Sequence, residues 1–322
     1  MKHALIRWLL AAAALSCACL SSQVAADDDI RHLRLQDGRR LEILISSQFK
    51  PAVREELLEW VDYIAAALRQ VYGHWPIPRW QISIAPTSAS SIDPIPWAQV
   101  RREDTVRVEF FTAASTRAEE LQRNWTGYHE LAHLLIPYQG WGDSWFSEGL
   151  ASYYQNILQA RAGQISEQEM WQQLYQGFQR GLAETAFDGQ PLQRVSDRLR
   201  TDGGFMRVYW SGAWYFLAAD TRLRLQSEGR LSLDTALEKL NQCCADDRLS
   251  VPQMVTLLDD LNRVALFRNL YDEVAVSTSV PPFAAIFASL GIDVVDGQVR
   301  LQETGPGARL RKAIATAPGA SL

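Results

Sequence analysis

From Pro51 to Tyr72 the apolar residues Val53, Leu57, Leu58, Val61, Ile64, Ala65, Leu68 and Val71 recur at helical spacing, with Gly73 just past the end. Positions three and four apart share one helix face, and a proline suits the first turn, so this stretch predicts a long amphipathic helix. Ahead of it, Ile30 to Leu35 and Arg40 to Ile45 are short alternating runs joined through Asp37-Gly38. That pattern predicts two strands and a hairpin turn. Trp80 to Ala85 and Thr105 to Phe111 alternate in the same way, while the Ser- and Pro-rich stretch Pro86 to Asp104 between them reads as a long surface loop or the rim of a cleft. Helical spacing then dominates, over about 118–137, 147–161, 166–185, 205–225, 232–244, 251–262 and 281–290. Strands first and helices afterwards, without a strand-helix repeat, indicate an α+β class. The expected organisation is an N-terminal α/β lobe over 27–124, a helical lobe over 125–300, and a poorly ordered tail over 301–322 rich in Gly and Pro.

The first 26 residues stand apart. Lys2, His3 and Arg7 precede the apolar run Trp8 to Leu20, and Val24-Ala25-Ala26 precedes three aspartates. This predicts an export signal cut after Ala26, because the apolar run is shorter than the ~20 residues that span a bilayer. Cys17 and Cys19 would leave with it, and the adjacent Cys243 and Cys244 read as two thiols on one helix. Asp and Glu outnumber Lys and Arg 37 to 32, a formal net charge of −5, so there is no whole-chain basic field to hold a nucleic-acid backbone.

With only five histidines in the chain, the grouping His129-Glu130-Leu131-Ala132-His133 stands out. Residues i and i+4 lie one helical turn apart on one face, so two imidazoles can hold one metal ion with Glu130 beside them to take a proton from an attacking water. A catalytic zinc normally has three protein ligands. Glu148 is the expected third: Ser147 can cap a second helix, and the fourteen residues between His133 and Glu148, including Gly140 and Gly142, allow an antiparallel return. His32 and His74 read as surface or turn residues, Arg101, Arg102 and Arg107 as a solvated face, and Trp141, Trp145, Trp210 and Trp214 as core.

Trp145 to Tyr154 is similar to the W-x-x-E-G-x-x-x-Y-Y segment of gluzincin metallopeptidases, and Tyr209-Trp210-Ser211-Gly212-Ala213 resembles their Y-x-K-G-a segment, with Ser211 in place of the lysine. The branches it resembles are the M61 glycyl aminopeptidases and the M1 aminopeptidases. The glycine-rich strand that carries the amino-terminus-binding acid in M1 enzymes is replaced by Val106 to Phe111 with Glu109. The resemblance implies a zincin-like catalytic domain, one Zn²⁺ on His129, His133 and Glu148, Glu130 as general base, Tyr209 as oxyanion donor, and Val106 to Phe111 as the cleft-edge strand pairing with extended substrate. The expected function is hydrolysis of a peptide or protein substrate by an exported or periplasmic enzyme. A non-catalytic binding or scaffold protein of the same fold, and a zinc hydrolase of a non-peptide amide, remain open.

Overall fold

The computed structural model describes residues 29–88 and 93–317; the export signal expected over 1–26 lies outside them. Strands β1 (Asp29–Arg34) and β2 (Arg40–Ile45) form the expected antiparallel hairpin, turning where Gly38 has φ 85°. Helix α1 (Pro51–Tyr72) opens on its proline and ends at Gly73, whose left-handed conformation carries no Cβ penalty. Then come β3 (Arg79–Thr87), β4 (Trp97–Arg102) and β5 (Val106–Ala113). The five strands run in the order β1-β2-β3-β5-β4, with β3 parallel to both β2 and β5, and β4 antiparallel to β5.

Two expectations are corrected here. The segment Pro86 to Asp104 contains a strand, and that strand is the sheet edge; Val106 to Phe111 is paired on both sides. Its alternation reflects two faces of different chemistry. Val108 and Phe110 join Leu41, Ile43, Trp80, Ile82 and Ile84 in the core shared with α1. The other face is polar: Gln99 and Arg101 each donate to Glu109 at 2.7 Å, and Arg107 donates to Gln81, which donates to Glu42.

The stretch expected as one helix over 118–137 is two. Helix α2 (Ala118–Arg123) stops at Asn124, α3 (Trp125–Ala132) starts there, and a 3-10 turn covers His133–Leu135. Asn124 has extended backbone and its side chain accepts from Thr126 N, a cap that competes with continued helix. Helix α3 lies against α1 so closely that a Cβ on Gly127 would stand 2.9 Å from the Trp60 ring.

Helices α4 (Ser144–Arg161), α5 (Glu167–Ala183), α6 (Leu192–Asp197), α7 (Leu199–Asp202) and α8 (Phe205–Gln226) build the second lobe. The α4–α8 crossing is made backbone to backbone at two motif glycines. A Cβ on Gly149 would overlap Gly212 Cα, and one on Gly212 would overlap the carbonyl oxygen of Trp145. Glu148 and Tyr209 are thereby carried to the same place. Helices α9 (Leu233–Cys244), α10 (Val251–Asn262), α11 (Phe267–Ala275) and α12 (Ala284–Ser289) follow. Cys243 and Cys244, at the exposed end of α9, are joined to each other as a disulfide and are not two free thiols.

The tail expected over 301–322 is corrected as far as residue 317, positions 318–322 lying outside the described residues. A hairpin of β6 (Ile292–Val295) and β7 (Gln298–Leu301) leads to α13 (Pro306–Ala315). Arg311, 1% exposed, fixes it by donating to Glu167 at 2.7 Å and to the carbonyls of Gly291 and Gln302 at 3.0 and 2.9 Å. A Gly- and Pro-rich composition hides this order because its cause is tertiary.

Candidate metal centre

Helix α3 and the 3-10 turn that continues it present His129 and His133 one turn apart, their ring centroids 5.0 Å from each other. His129 is 3% exposed, with its Nδ1 2.9 Å from Gln155 Oε1 and its Nε2 3.2 Å from Glu148 Oε2. His133 has its Nδ1 2.9 Å from Ser147 Oγ and its Nε2 3.7 Å from the same Glu148 oxygen. Both rings are held at Nδ1 and turn Nε2 toward one carboxylate. The three donor atoms lie within 4.8 Å of one another, and among the described residues His129, His133 and Glu148 are the group able to hold a metal ion.

This donor set fits one zinc ion. Zinc takes imidazole nitrogen and carboxylate oxygen, and ligating histidines characteristically have their second ring nitrogen hydrogen-bonded to the protein. Gln155 and Ser147 perform that orienting role on α4. Ser147 was expected to cap the helix. Instead the helix begins at Ser144, with Asp143 at φ 53° ahead of it, and Ser147 lies inside it. Asp143 does not cap either; its carboxylate accepts from Tyr271 at 2.9 Å.

Electrostatics follow from burial and the short distances. Burial pushes the His133 imidazole down to about 4, and of the nearby charges Glu148 opposes this while His129 and Arg102 add to it. Burial works the same way on His129, yet the hydrogen bond and charge of Glu148 outweigh it and raise that ring above its ordinary value. For Glu148, burial is opposed by both histidines and a hydrogen bond from Tyr209, leaving its carboxyl below the usual range. Glu130, beside His129, is pushed up to about 7 by burial; His129 opposes and Glu148 adds to the rise.

Tyr209 enters from α8. Its ring stacks on that of His129 at 5.8 Å between centroids, and its hydroxyl is hydrogen-bonded to Glu148. Burial holds the phenol well above its ordinary pKa, so it is a neutral donor. Trp125 also meets the His129 ring, edge-on at 5.4 Å. Trp125, Gln155 and Tyr209 border a cavity of about 380 Å³ that also reaches Trp210.

Two positioning residues lie outside the motif. Gln155 is seven residues after Glu148, on the same face of α4, a spacing visible in the sequence. Arg102 carried no such signal. On β4 it points to the opposite sheet face from Arg101 and donates to the carbonyls of His133 and Ile136 at 2.6 and 3.0 Å, closing the end of the helix that bears the histidines. Burial lowers its guanidinium to about 10, still charged at neutral pH. The expected solvated role therefore holds for Arg101 and Arg107 but not for Arg102. His32 pairs with Arg40 and His74 with Trp75 O, both outside the centre. Trp145 and Trp214 are core, whereas Trp141 is 70% exposed beneath Arg200, and Trp210, though buried, borders the cavity.

The family model for M61 glycyl aminopeptidase matches residues 139–219, which span Glu148 and Tyr209. No curated protein sequence matches the chain. Among solved structures, the aminopeptidase N family protein of Idiomarina loihiensis superposes with a TM-score of 0.62 at 14% identity, covering 84% of this chain and 50% of that one. An M1 zinc metallopeptidase from Deinococcus radiodurans superposes at 0.51 with 19% identity, covering 79% and 53%. The chain thus spans about half the length of these structures, and at such identities the likeness is one of fold. In fold, in its His129-Glu130-x-x-His133 motif and in a Glu148 brought to both imidazoles, the chain is similar to the gluzincin metallopeptidases of the M61 and M1 groups.

Proposed function

We propose that the protein is an exported zinc-dependent peptidase. The observation that carries the reading is the convergence of His129 Nε2, His133 Nε2 and Glu148 Oε2, with both Nδ1 atoms already held by the protein. His129, His133 and Glu148 would hold the zinc, which when bound supplies a Lewis acid that acidifies water and polarises a carbonyl. Glu130 accepts the proton of the attacking water and delivers it to the leaving amine. Tyr209 donates its hydroxyl hydrogen to the developing oxyanion. Arg102 and Gln155 keep the histidines in place. The open edge of β4, rather than Val106 to Phe111, offers backbone donors and acceptors to an extended peptide. The basic start, short apolar run and small residues over positions 1–26 of the sequence support the reading of export to the periplasm or beyond, and among the described residues no helix is long and apolar enough to cross a membrane.

The test is incubation of zinc-loaded protein with a mixed peptide library, read by mass spectrometry, beside Glu130→Gln at equal zinc content. Cleavage by the parent and none by the variant is expected. Absence of cleavage by a fully metallated parent points to the scaffold reading, and an unaltered rate in Glu130→Gln removes the proposed base.

A further inference from the structure

The cavity beside Tyr209 has a chemistry that the proton-transfer residues do not use. Acidic residues outnumber basic ones in the chain, yet the lining of this cavity holds two arginines, Arg123 and Arg180, and no carboxylate. Its other polar groups are mainly side-chain amides, including Gln155, Asn156, Gln159 and Gln176. Several of these amides are already engaged, Asn156 and Gln159 donating to the carbonyls of Ser152 and Gln155 and Gln155 meeting His129, so the charged donors at this cavity are the two guanidinium groups, whose match is a carboxylate.

The two arginines are available for that purpose. Neither forms a salt bridge among the described residues. Glu169 feels the charge of Arg123, but its carboxylate accepts from Ser166 N and Oγ. Arg180 is placed by stacking: its guanidinium lies 4.8 Å from the centroid of the Trp210 ring, leaving its in-plane N–H groups open. Trp210 is itself fixed against α5, because a Cβ on Gly177, one turn before Arg180, would overlap its ring. The position relative to the reaction is set by Gln155 and Tyr209, which border the cavity and touch His129 and Glu148. An occupant therefore belongs to a residue flanking the cleaved bond, and about 380 Å³ accommodates such a residue with its backbone.

We propose that this cavity is a specificity subsite for a substrate carboxylate, gripped by Arg123 and Arg180. The inference rests on the peptidase reading. The carboxylate comes either from an acidic side chain beside the scissile bond or from the peptide's own C-terminus, and both present the same planar anion.

Two measurements on the zinc-loaded full chain test it. In the first, matched peptides carry Glu or Gln at each position flanking the cleavage point, each with a free or an amidated C-terminus. The carboxylate peptide is expected to be preferred in kcat/KM by roughly tenfold or more, the size of a charge-assisted hydrogen bond. The preference should fall toward unity in Arg123→Gln/Arg180→Gln and be partly kept in Arg180→Lys. If it follows Glu against Gln, the source is a side chain; if it follows acid against amide, the source is the C-terminus. Equal rates in the parent, or a preference that survives in the double variant, overturn the proposal. The second is calorimetric binding of the same peptides to Glu130→Gln, which needs no turnover. Tighter binding of the carboxylate forms, lost in the added arginine variants, supports the subsite even if the parent cleaves nothing. Equal binding overturns it even if the parent is an active peptidase.

Discussion

Gly212→Ala is a small change whose outcome depends on the crossing of α4 and α8. Gly212 lies inside α8, where alanine is intrinsically favoured over glycine by about 1 kcal/mol, so helix propensity alone predicts a gain. The structure predicts the reverse. The new methyl would overlap the Trp145 carbonyl oxygen and stand 2.7 Å from Gly149 Cα, and neither main-chain atom can escape by a rotamer change. Overpacking of this kind costs about 1–3 kcal/mol and occasionally more, and the upper end applies where backbone meets backbone. After the propensity gain is subtracted, a net loss of roughly 2 kcal/mol remains, about 3 °C in melting temperature for a chain of this length. Parting the helices also draws Tyr209 away from Glu148, so zinc retention should fall. Gly142→Ala is the control, since a Cβ there meets nothing within 4 Å. Thermal unfolding followed by circular dichroism, with zinc measured by mass spectrometry, reads both effects. A melting temperature for Gly212→Ala equal to or above the parent's refutes the close crossing.

Gln155→Leu removes the acceptor at His129 Nδ1 and should weaken zinc binding about 10–100-fold in a chelator competition while leaving the far-UV spectrum unchanged. Arg102→Met leaves two buried carbonyls without their donor and should cost roughly 2–4 kcal/mol in urea unfolding, with weaker zinc retention. In the metal-free protein, burial holds His133 down to about 4 against an ordinary 6.5, so the fold favours its neutral form. That stability is full above pH 6.5 and is lost as pH falls toward 4, by up to roughly 3 kcal/mol, with the raised His129 partly offsetting it. Urea midpoints measured across this range should fall more steeply for the parent than for His133→Asn; parallel slopes would contradict the burial of His133.

Elements closed by local chemistry at both ends were readable from the sequence. Pro51 and Gly73 bound α1, and the i, i+4 spacing of His129 and His133 defines the metal pair wherever the helix lies. What escaped depended on tertiary partners. β4 is short and polar on its outer face, so its alternation is weak, and its place at the edge is fixed by β5. The break at Asn124 interrupts an apolar period that continues across it, and only the side-chain cap on Thr126 marks it. Ser147 reads as a cap because a serine ahead of an acid and an apolar run commonly is one, whereas the helix starts three residues earlier behind Asp143, whose carboxylate is engaged by Tyr271. The paths of Arg101 and Arg102 diverge because neighbouring strand residues face opposite sides, and a pair of adjacent arginines gives no hint of which one is buried.

The most direct measurement is a crystallographic anomalous difference map of the zinc-loaded protein at the zinc edge. One peak is expected, about 2.0–2.2 Å from His129 Nε2, His133 Nε2 and a Glu148 carboxylate oxygen. A peak elsewhere, or one whose third protein ligand is not Glu148, contradicts the assignment of this centre.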